Sequence, residues 1–167
     1  MMTMEEAKAF AIILFDVDLT LRRPIIGEKF PKTLTDWHVY PQRLERCHAL
    51  VQAGIPIGLV TNQGGVAFGI YQPGDIMKEL YLLAHTVHAS TVKVCFNHPK
   101  GKTAPWNTES PRRKPGGKMI VEAVEDISLV YMMSVPLSMV LYVGDMPEDA
   151  EAARDAGVAF CATDDFF

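Results

Sequence analysis

An unbroken apolar run, Phe10 to Phe15, passes directly into two carboxylates, Asp16 and Asp18, in the stretch FAIILFDVDLTL. No other feature limits the fold as strongly. A strand with one wetted face alternates apolar and polar residues, whereas a continuous run of this length fits a strand buried on both faces of a parallel sheet. In open sheets of that kind, ligands bind beyond the carboxyl ends of the strands, which is where the two acids stand. Residues two apart on an extended backbone project to the same side, so Asp16 and Asp18 can address one substrate.

The pattern recurs along the chain. Arg22 to Tyr40 reads as a linker with Pro, Gly and Lys, expected to act as a flap over about 22–40. Pro41 opens a helix to about Ala53, with Leu44, Cys47 and Val51 on one face and Gly54 as its stop. IPIGLV, 55–60, is a second strand ending in Thr61-Asn62-Gln63-Gly64-Gly65. A helix follows from Pro73 to His88 with Ile76, Leu80, Leu83 and Val87 inward, then a third strand, TVKVCF, 91–96. The loop Asn97 to Pro115 is polar, contains Arg112, Arg113 and Lys114, and is expected to govern specificity. Beyond Gly116-Gly117 a helix places Ile120, Val124, Ile127 and Tyr131 on one face. MVLYVGD, 139–145, is a fourth strand, Pro147 to Ala156 a short helix, and VAFCA, 158–162, a last strand. Strands alternating with helices predict an α/β fold, a doubly wound, Rossmann-like parallel sheet with helices on both faces. At 167 residues the chain is expected to form one domain, 1–167.

Composition removes several alternatives. The net charge of −4 exerts no general pull toward nucleic acid or anionic lipid. Cys47, Cys95 and Cys161 are odd in number and widely spaced, which fits a reducing cytoplasm better than a disulfide framework. No apolar run reaches membrane-spanning length, and MMTMEEAKAF, with its two glutamates, does not read as a signal peptide. The expectation is a cytoplasmic protein with no membrane partner.

In a parallel sheet the strand ends open on one edge. That edge gathers Asp16 and Asp18, Thr61 and Asn62, Lys114, and Asp145 with Asp149 four residues on. Singly, each is ordinary: Thr61-Asn62 is turn chemistry before two glycines, Lys114 a solvated loop residue beside two arginines, Asp149 a first-turn acid favoured by the helix dipole. Together they fit phosphoryl transfer through an aspartyl phosphate. A carboxylate facing a phosphate dianion is repelled, and a divalent cation with a lysine offsets the repulsion. Mg²⁺ takes a few oxygen ligands and keeps waters, which matches Asp16, Asp145 and a backbone carbonyl near Asp18. Asp18 can protonate the leaving alkoxide and then accept a proton from water. Thr61, Asn62 and Lys114 would bind the phosphate.

DVDLT (16–20), TNQGG (61–65), RKPGGK (113–118) and GDMPED (144–149) resemble, in order, the four motifs of the haloacid dehalogenase (HAD) superfamily. TNQ followed by RKP is most similar to the branch holding D-glycero-D-manno-heptose bisphosphate, histidinol-phosphate and polynucleotide 3′-phosphatases, which have a small cap or none. The resemblance implies Asp16 as nucleophile, Asp18 as general acid and base, Thr61 and Lys114 as phosphate ligands, and Asp145 as a Mg²⁺ ligand. Thr20 would hold the turn and Asp149 would support Lys114 or the metal waters.

Departures are visible. Leu19 stands where the superfamily usually has glycine. The heptose branch carries a zinc loop of three cysteines and a histidine; here Cys95 and His98 remain, while Ser110 and Arg112 stand about where the later cysteines would be. Two donors do not fill a tetrahedral site, so no zinc is expected and Cys95 reads as a buried strand residue. Gly101-Lys102-Thr103 lacks the earlier glycine of a P-loop, since Phe96 occupies that place. A receiver domain is disfavoured because its acceptor aspartate would fall at Cys95-Phe96-Asn97. The leading expectation is a Mg²⁺-dependent phosphomonoesterase acting on a small phosphate ester such as a sugar phosphate, with Arg113 touching its body. The alternative is a nucleic-acid 3′-phosphatase, for which Trp37 would stack on a base, although flap packing is the preferred reading of that residue.

Overall fold

The structure, a computed structural model, describes residues 1–26 and 35–167; the centre of the expected flap, 27–34, lies outside the described residues. In chain order the elements are α1 (Met4–Ala7), β1 (Ile12–Phe15), the short strands β2 (Arg22–Arg23) and β3 (His38–Val39), α2 (Pro41–Gln52), β4 (Ile57–Asn62), α3 (Pro73–Val87), β5 (Thr91–Cys95), α4 (Lys118–Val130), β6 (Val140–Gly144), α5 (Pro147–Ala156), β7 (Ala159–Ala162) and α6 (Thr163–Phe166). Five strands make one parallel sheet in the order β5-β4-β1-β6-β7.

The apolar run that opened the sequence is the central strand. Its residues bury alternately into two cores. Ile13 and Phe15 share one with Leu50, Leu80 and Leu83 of α2 and α3. Ile12 and Leu14 share the other with Ile120, Ile127 and Ala153 of α4 and α5. All four are fully buried, each contributing roughly 1.5–3 kcal/mol from removal of its side chain from water. The strand therefore has no wetted face, which is why the sequence shows no alternation.

The described ends of the expected flap form a ribbon, β2 and β3 pairing antiparallel, Arg22 opposite Val39 and Arg23 opposite His38. Two local expectations change. β4 extends through Asn62, so Thr61 and Asn62 are strand residues paired with Val94 and Cys95 rather than turn residues. Tyr131, expected on the inward face of α4, is 49% exposed and hydrogen-bonds Ser90 Oγ at 3.0 Å. The helix stops at Val130, so the helical period no longer aims that ring at the core. Among the described residues no helix is long and apolar enough to cross a membrane.

Candidate active site

The carboxyl ends of β1, β4 and β6 open on a cleft of about 710 Å³. At its floor Asp16, the first residue past β1, is tied to the sheet by its amide, which donates to the Val143 carbonyl at 2.9 Å. Lys114 reaches it from a loop 98 residues away, its Nζ donating to Asp16 Oδ1 at 2.6 Å. The same ammonium donates to Asp149 Oδ1 at 2.6 Å and to the Tyr142 hydroxyl at 3.0 Å. A buried lysine is unfavourable unless all three donors find acceptors, and here they do. The Tyr142 oxygen also lies 3.1 Å from Asp149 Oδ1 and 3.3 Å from the Val60 carbonyl oxygen.

Burial pushes the Asp16 carboxyl up to about 7, against the opposing pull of Lys114 and with a further push from Asp149. Burial alone would lower the Lys114 ammonium, but Asp16, Tyr142 and Asp149 outweigh it and hold it well above its ordinary range. The lysine thus stays charged between its two acids. Asp145 is also raised, first by partial burial and then by Asp149.

The backbone of Lys114 is fixed by Asn62. The Asn62 Nδ2 donates to the Lys114 carbonyl at 3.1 Å, and the Lys114 amide donates to Asn62 Oδ1 at 3.1 Å. Asn62, expected among the phosphate ligands, thus has both ends of its amide engaged in holding the lysine loop against β4. Thr61 lies beside it, its Oγ1 accepting from Gln63 Nε2 at 3.0 Å.

Asp18 is gripped from two sides. Arg22 Nε donates to Oδ1 at 2.7 Å and Gln63 Nε2 to Oδ2 at 2.8 Å. Arg22, 2% exposed, donates through Nη1 to Glu79 of α3 and lies 5.4 Å from the Trp37 ring centroid. Burial raises the Glu79 carboxyl, an effect Arg22 opposes. The turn between Asp18 and Arg22 contains Leu19 at φ 65°. This is the left-handed conformation a glycine takes freely and another residue adopts at a cost of about 1–2 kcal/mol. Two hydrogen bonds from Arg43 Nη1, to the Leu19 carbonyl at 2.6 Å and the Thr20 carbonyl at 2.8 Å, hold it there. Thr20 Oγ1 reaches Asp145 Oδ1 at 3.3 Å and Thr163 Oγ1 at 3.1 Å.

Carboxylate oxygens of Asp16, Asp145 and Asp149 lie within 4.8 Å of one another. Hard oxygen donors so spaced suit Mg²⁺. The Asp18 side-chain oxygens, by contrast, accept from Arg22 and Gln63. Gly144 is required next to this cluster, since a Cβ there would sit 2.5 Å from the Asp149 carboxylate.

Farther out, Arg113 lines the cleft and donates to the Asn97 carbonyl at 3.0 Å, whereas Arg112 turns away to Glu122 at 2.9 Å. Cys95 is buried at the end of β5. His98 Nδ1 accepts from the Lys100 amide at 3.1 Å, and Ser110 Oγ from the Arg112 amide at 3.2 Å. The 97–115 loop is held by such bonds and by Trp106, edge-on to Phe96 with centroids 5.2 Å apart.

Sequence reasoning passed over Arg22, Gln63, Glu79 and Tyr142. Two left a signal. Glu79 interrupts the apolar stripe of α3 one position before Leu80, and a buried acid needs a cation. Tyr142 lies mid-strand in a wholly buried run, where its hydroxyl must find a partner.

Residues 11–167 match the family described as polynucleotide kinase 3 phosphatase. Among curated relatives, D-glycero-beta-D-manno-heptose-1,7-bisphosphate 7-phosphatase of Mesorhizobium japonicum is 30% identical over 80% of this chain and 61% of its own length. D-glycero-D-manno-heptose-1,7-bisphosphate 7-phosphatase of Chlorobaculum tepidum is 27% identical over 93% of this chain and 77% of its own. The chain spans about three fifths of the length of the first curated relatives it matches, from 58% to 61%. Of solved structures, D,D-heptose 1,7-bisphosphate phosphatase from B. bronchiseptica, complexed with magnesium and phosphate, superposes with a TM-score of 0.69 at 25% identity, covering 89% of this chain and 78% of that one. A HAD-like chain from Mesorhizobium loti gives 0.71 at 27%, covering 90% and 70%.

Proposed function

We propose, for a chain that belongs to the polynucleotide kinase 3 phosphatase family within the HAD superfamily, that it is a Mg²⁺-dependent phosphomonoesterase working through an aspartyl phosphate. Sugar phosphates are the substrate class that the relatives' names suggest first. What supports the reading above all is the Lys114 ammonium, locked at 2.6 Å to both Asp16 and Asp149 at the sheet edge. Three segments remote in sequence bring together Asp16, Lys114 and the Asp145–Asp149 pair, which in this reading are a nucleophile, a cation and further oxygen donors.

In the proposed reaction an Asp16 carboxylate oxygen attacks phosphorus and the ester P–O bond breaks. Asp18, once protonated, turns one oxygen from its present donor toward the departing alkoxide and gives it that proton. Water then attacks the aspartyl phosphate, Asp18 takes its proton, and the Asp16–phosphorus bond breaks to release inorganic phosphate. Bound at Asp16, Asp145 and the Asp18 carbonyl, Mg²⁺ would neutralise charge on the phosphoryl oxygens. Thr61 Oγ1 would donate to the same oxygens, and Lys114 Nζ, whose three donors now serve Asp16, Tyr142 and Asp149, would turn one of them to the phosphate. Asp149 and Tyr142 keep Lys114 in place, Asn62 fixes its backbone, and Arg22 with Gln63 orients Asp18. Arg113 stands where it can touch the substrate body.

A panel of phosphate esters assayed with Mg²⁺ tests this. The expected result is turnover that Asp16→Asn abolishes while circular dichroism stays native. Turnover by that variant close to wild type would rule out Asp16 as the nucleophile. The family description also favours a second reading, a nucleic-acid 3′-phosphatase. Against it stand the net charge of −4 and Trp37, which is partly buried against the core. Binding of a 3′-phosphorylated oligonucleotide that falls steeply with salt would select that reading instead.

A further inference from the structure

The cleft is two-sided in chemistry. Its floor is the charged site above, and its outer wall is apolar, built by Phe68, Ile70, Tyr71 and Ile76. The wall is not a loose fringe. The turn carrying Phe68 closes on itself, with the Ile70 amide donating to the Gly65 carbonyl at 2.9 Å and the Gly69 amide to that of Val66 at 3.0 Å. It is also tied to the 97–115 loop. The Ala67 carbonyl accepts from the amides of Lys102 at 2.6 Å and Thr103 at 2.9 Å. Gly101 makes this approach possible, because a Cβ there would sit 2.6 Å from that of Ala67. The Phe68 ring then rests on His98 with centroids 4.9 Å apart, and is 38% exposed.

The charges beside this wall are mostly paired with one another. Among the described lining residues, the carboxylates are Asp16, Asp18, Glu79, Asp145, Glu148 and Asp149, against the cations Arg22, Arg113 and Lys114. Arg22 is paired with Asp18 and Glu79, and Lys114 with Asp16 and Asp149, whereas Arg113 makes no ion pair among the described residues and donates to the Asn97 carbonyl. His98 is held below its ordinary range by burial and then by Arg113 and Lys100. One phosphate can be met at the floor; beyond it, among the described residues, the rest of the substrate meets Arg113 and a wall of hydrocarbon.

Resting on the phosphatase reading, we propose that the substrate is a phosphate ester with an apolar or aromatic body, seated on Phe68, Ile70 and Tyr71. Phe68 is the specificity-determining residue. A ring stacked there gains both area burial and aromatic contact.

The test compares 2-phenylethyl phosphate with ethyl phosphate, whose leaving alcohols have similar reactivity, both with Mg²⁺. In parallel, calorimetry with Mg²⁺ compares the affinities of 3-phenylpropylphosphonate and propylphosphonate, which are not hydrolysed. The expected result is a preference for the phenyl compound of about tenfold in kcat/KM and in affinity, collapsing toward unity in Phe68→Ala. A phenyl preference absent from wild type, or unchanged in Phe68→Ala, overturns the proposal. If no ester turns over yet the phosphonate preference holds and depends on Phe68, the apolar wall stands and the phosphatase reading falls.

Discussion

Removing Arg22 should destabilise the protein far more than removing Arg22 and Glu79 together. Arg22 is 2% exposed and Glu79 8%, so their pairing is shielded from water and salt. In Arg22→Met the Glu79 carboxylate stays buried without its cation, and Asp18 keeps only Gln63. Breaking a buried pair in this way costs about 3–5 kcal/mol. Glu79→Met leaves the guanidinium bonded to Asp18, so its cost should be smaller, about 1–3 kcal/mol. In Arg22→Met/Glu79→Met both charges are gone and the volumes are roughly kept, and such replacements are often neutral. The double variant should lie within about 1 kcal/mol of wild type. Urea unfolding followed by far-ultraviolet circular dichroism gives the cycle directly, provided the m-value stays constant. Single-variant costs below about 1 kcal/mol, or costs that simply add, would show that the pair is not a coupled buried unit. The double variant also separates folding from catalysis: with stability restored, Asp18 still lacks its Arg22 brace, and turnover should remain low.

Two further outcomes follow from buried groups. Tyr142→Phe should lower stability by about 1–3 kcal/mol, because the Lys114 ammonium loses an acceptor; kcat/KM should fall about tenfold, and unchanged values of both would refute the role given to the hydroxyl. The Cys47 thiol, pushed up by burial to about 12 from an ordinary 9.0, keeps its proton when folded where the unfolded chain loses it. Its stabilising contribution is therefore complete below pH 9 and is lost as pH rises toward 12, amounting to about 1 kcal/mol between pH 8 and pH 10. Urea unfolding of wild type and Cys47→Ala at both pH values should show this part of the slope vanish in the variant.

The sheet was legible because its strands declare themselves: a run such as Ile12 to Phe15 has no polar interruption to confuse its period. The chemistry-bearing ends were legible for the same reason, since each run terminates abruptly in Asp16, Thr61 or Asp145. Roles that depend on side-chain reach were not. Nothing in the order of residues says that the Asn62 amide turns toward the Lys114 backbone, 52 positions on. Likewise Arg22, adjacent to Arg23 in sequence, is buried while its neighbour is exposed, because the two alternate across a ribbon whose pairing is tertiary. Leu19 shows the limit from the other side. Its departure from glycine was visible, but the Arg43 hydrogen bonds that sustain the turn come from α2.

The reciprocal bonds between Asn62 and the backbone of Lys114 have a consequence for how such a chain can diversify. They rivet the Lys114 end of the 97–115 loop to the rigid sheet, so that residues upstream, from Lys100 to Ser110, can change without carrying the ammonium off its mark. On the proposed reading, substrate choice and bond-breaking machinery would then share one loop, the first as an exchangeable fitting and the second as a fixed mount.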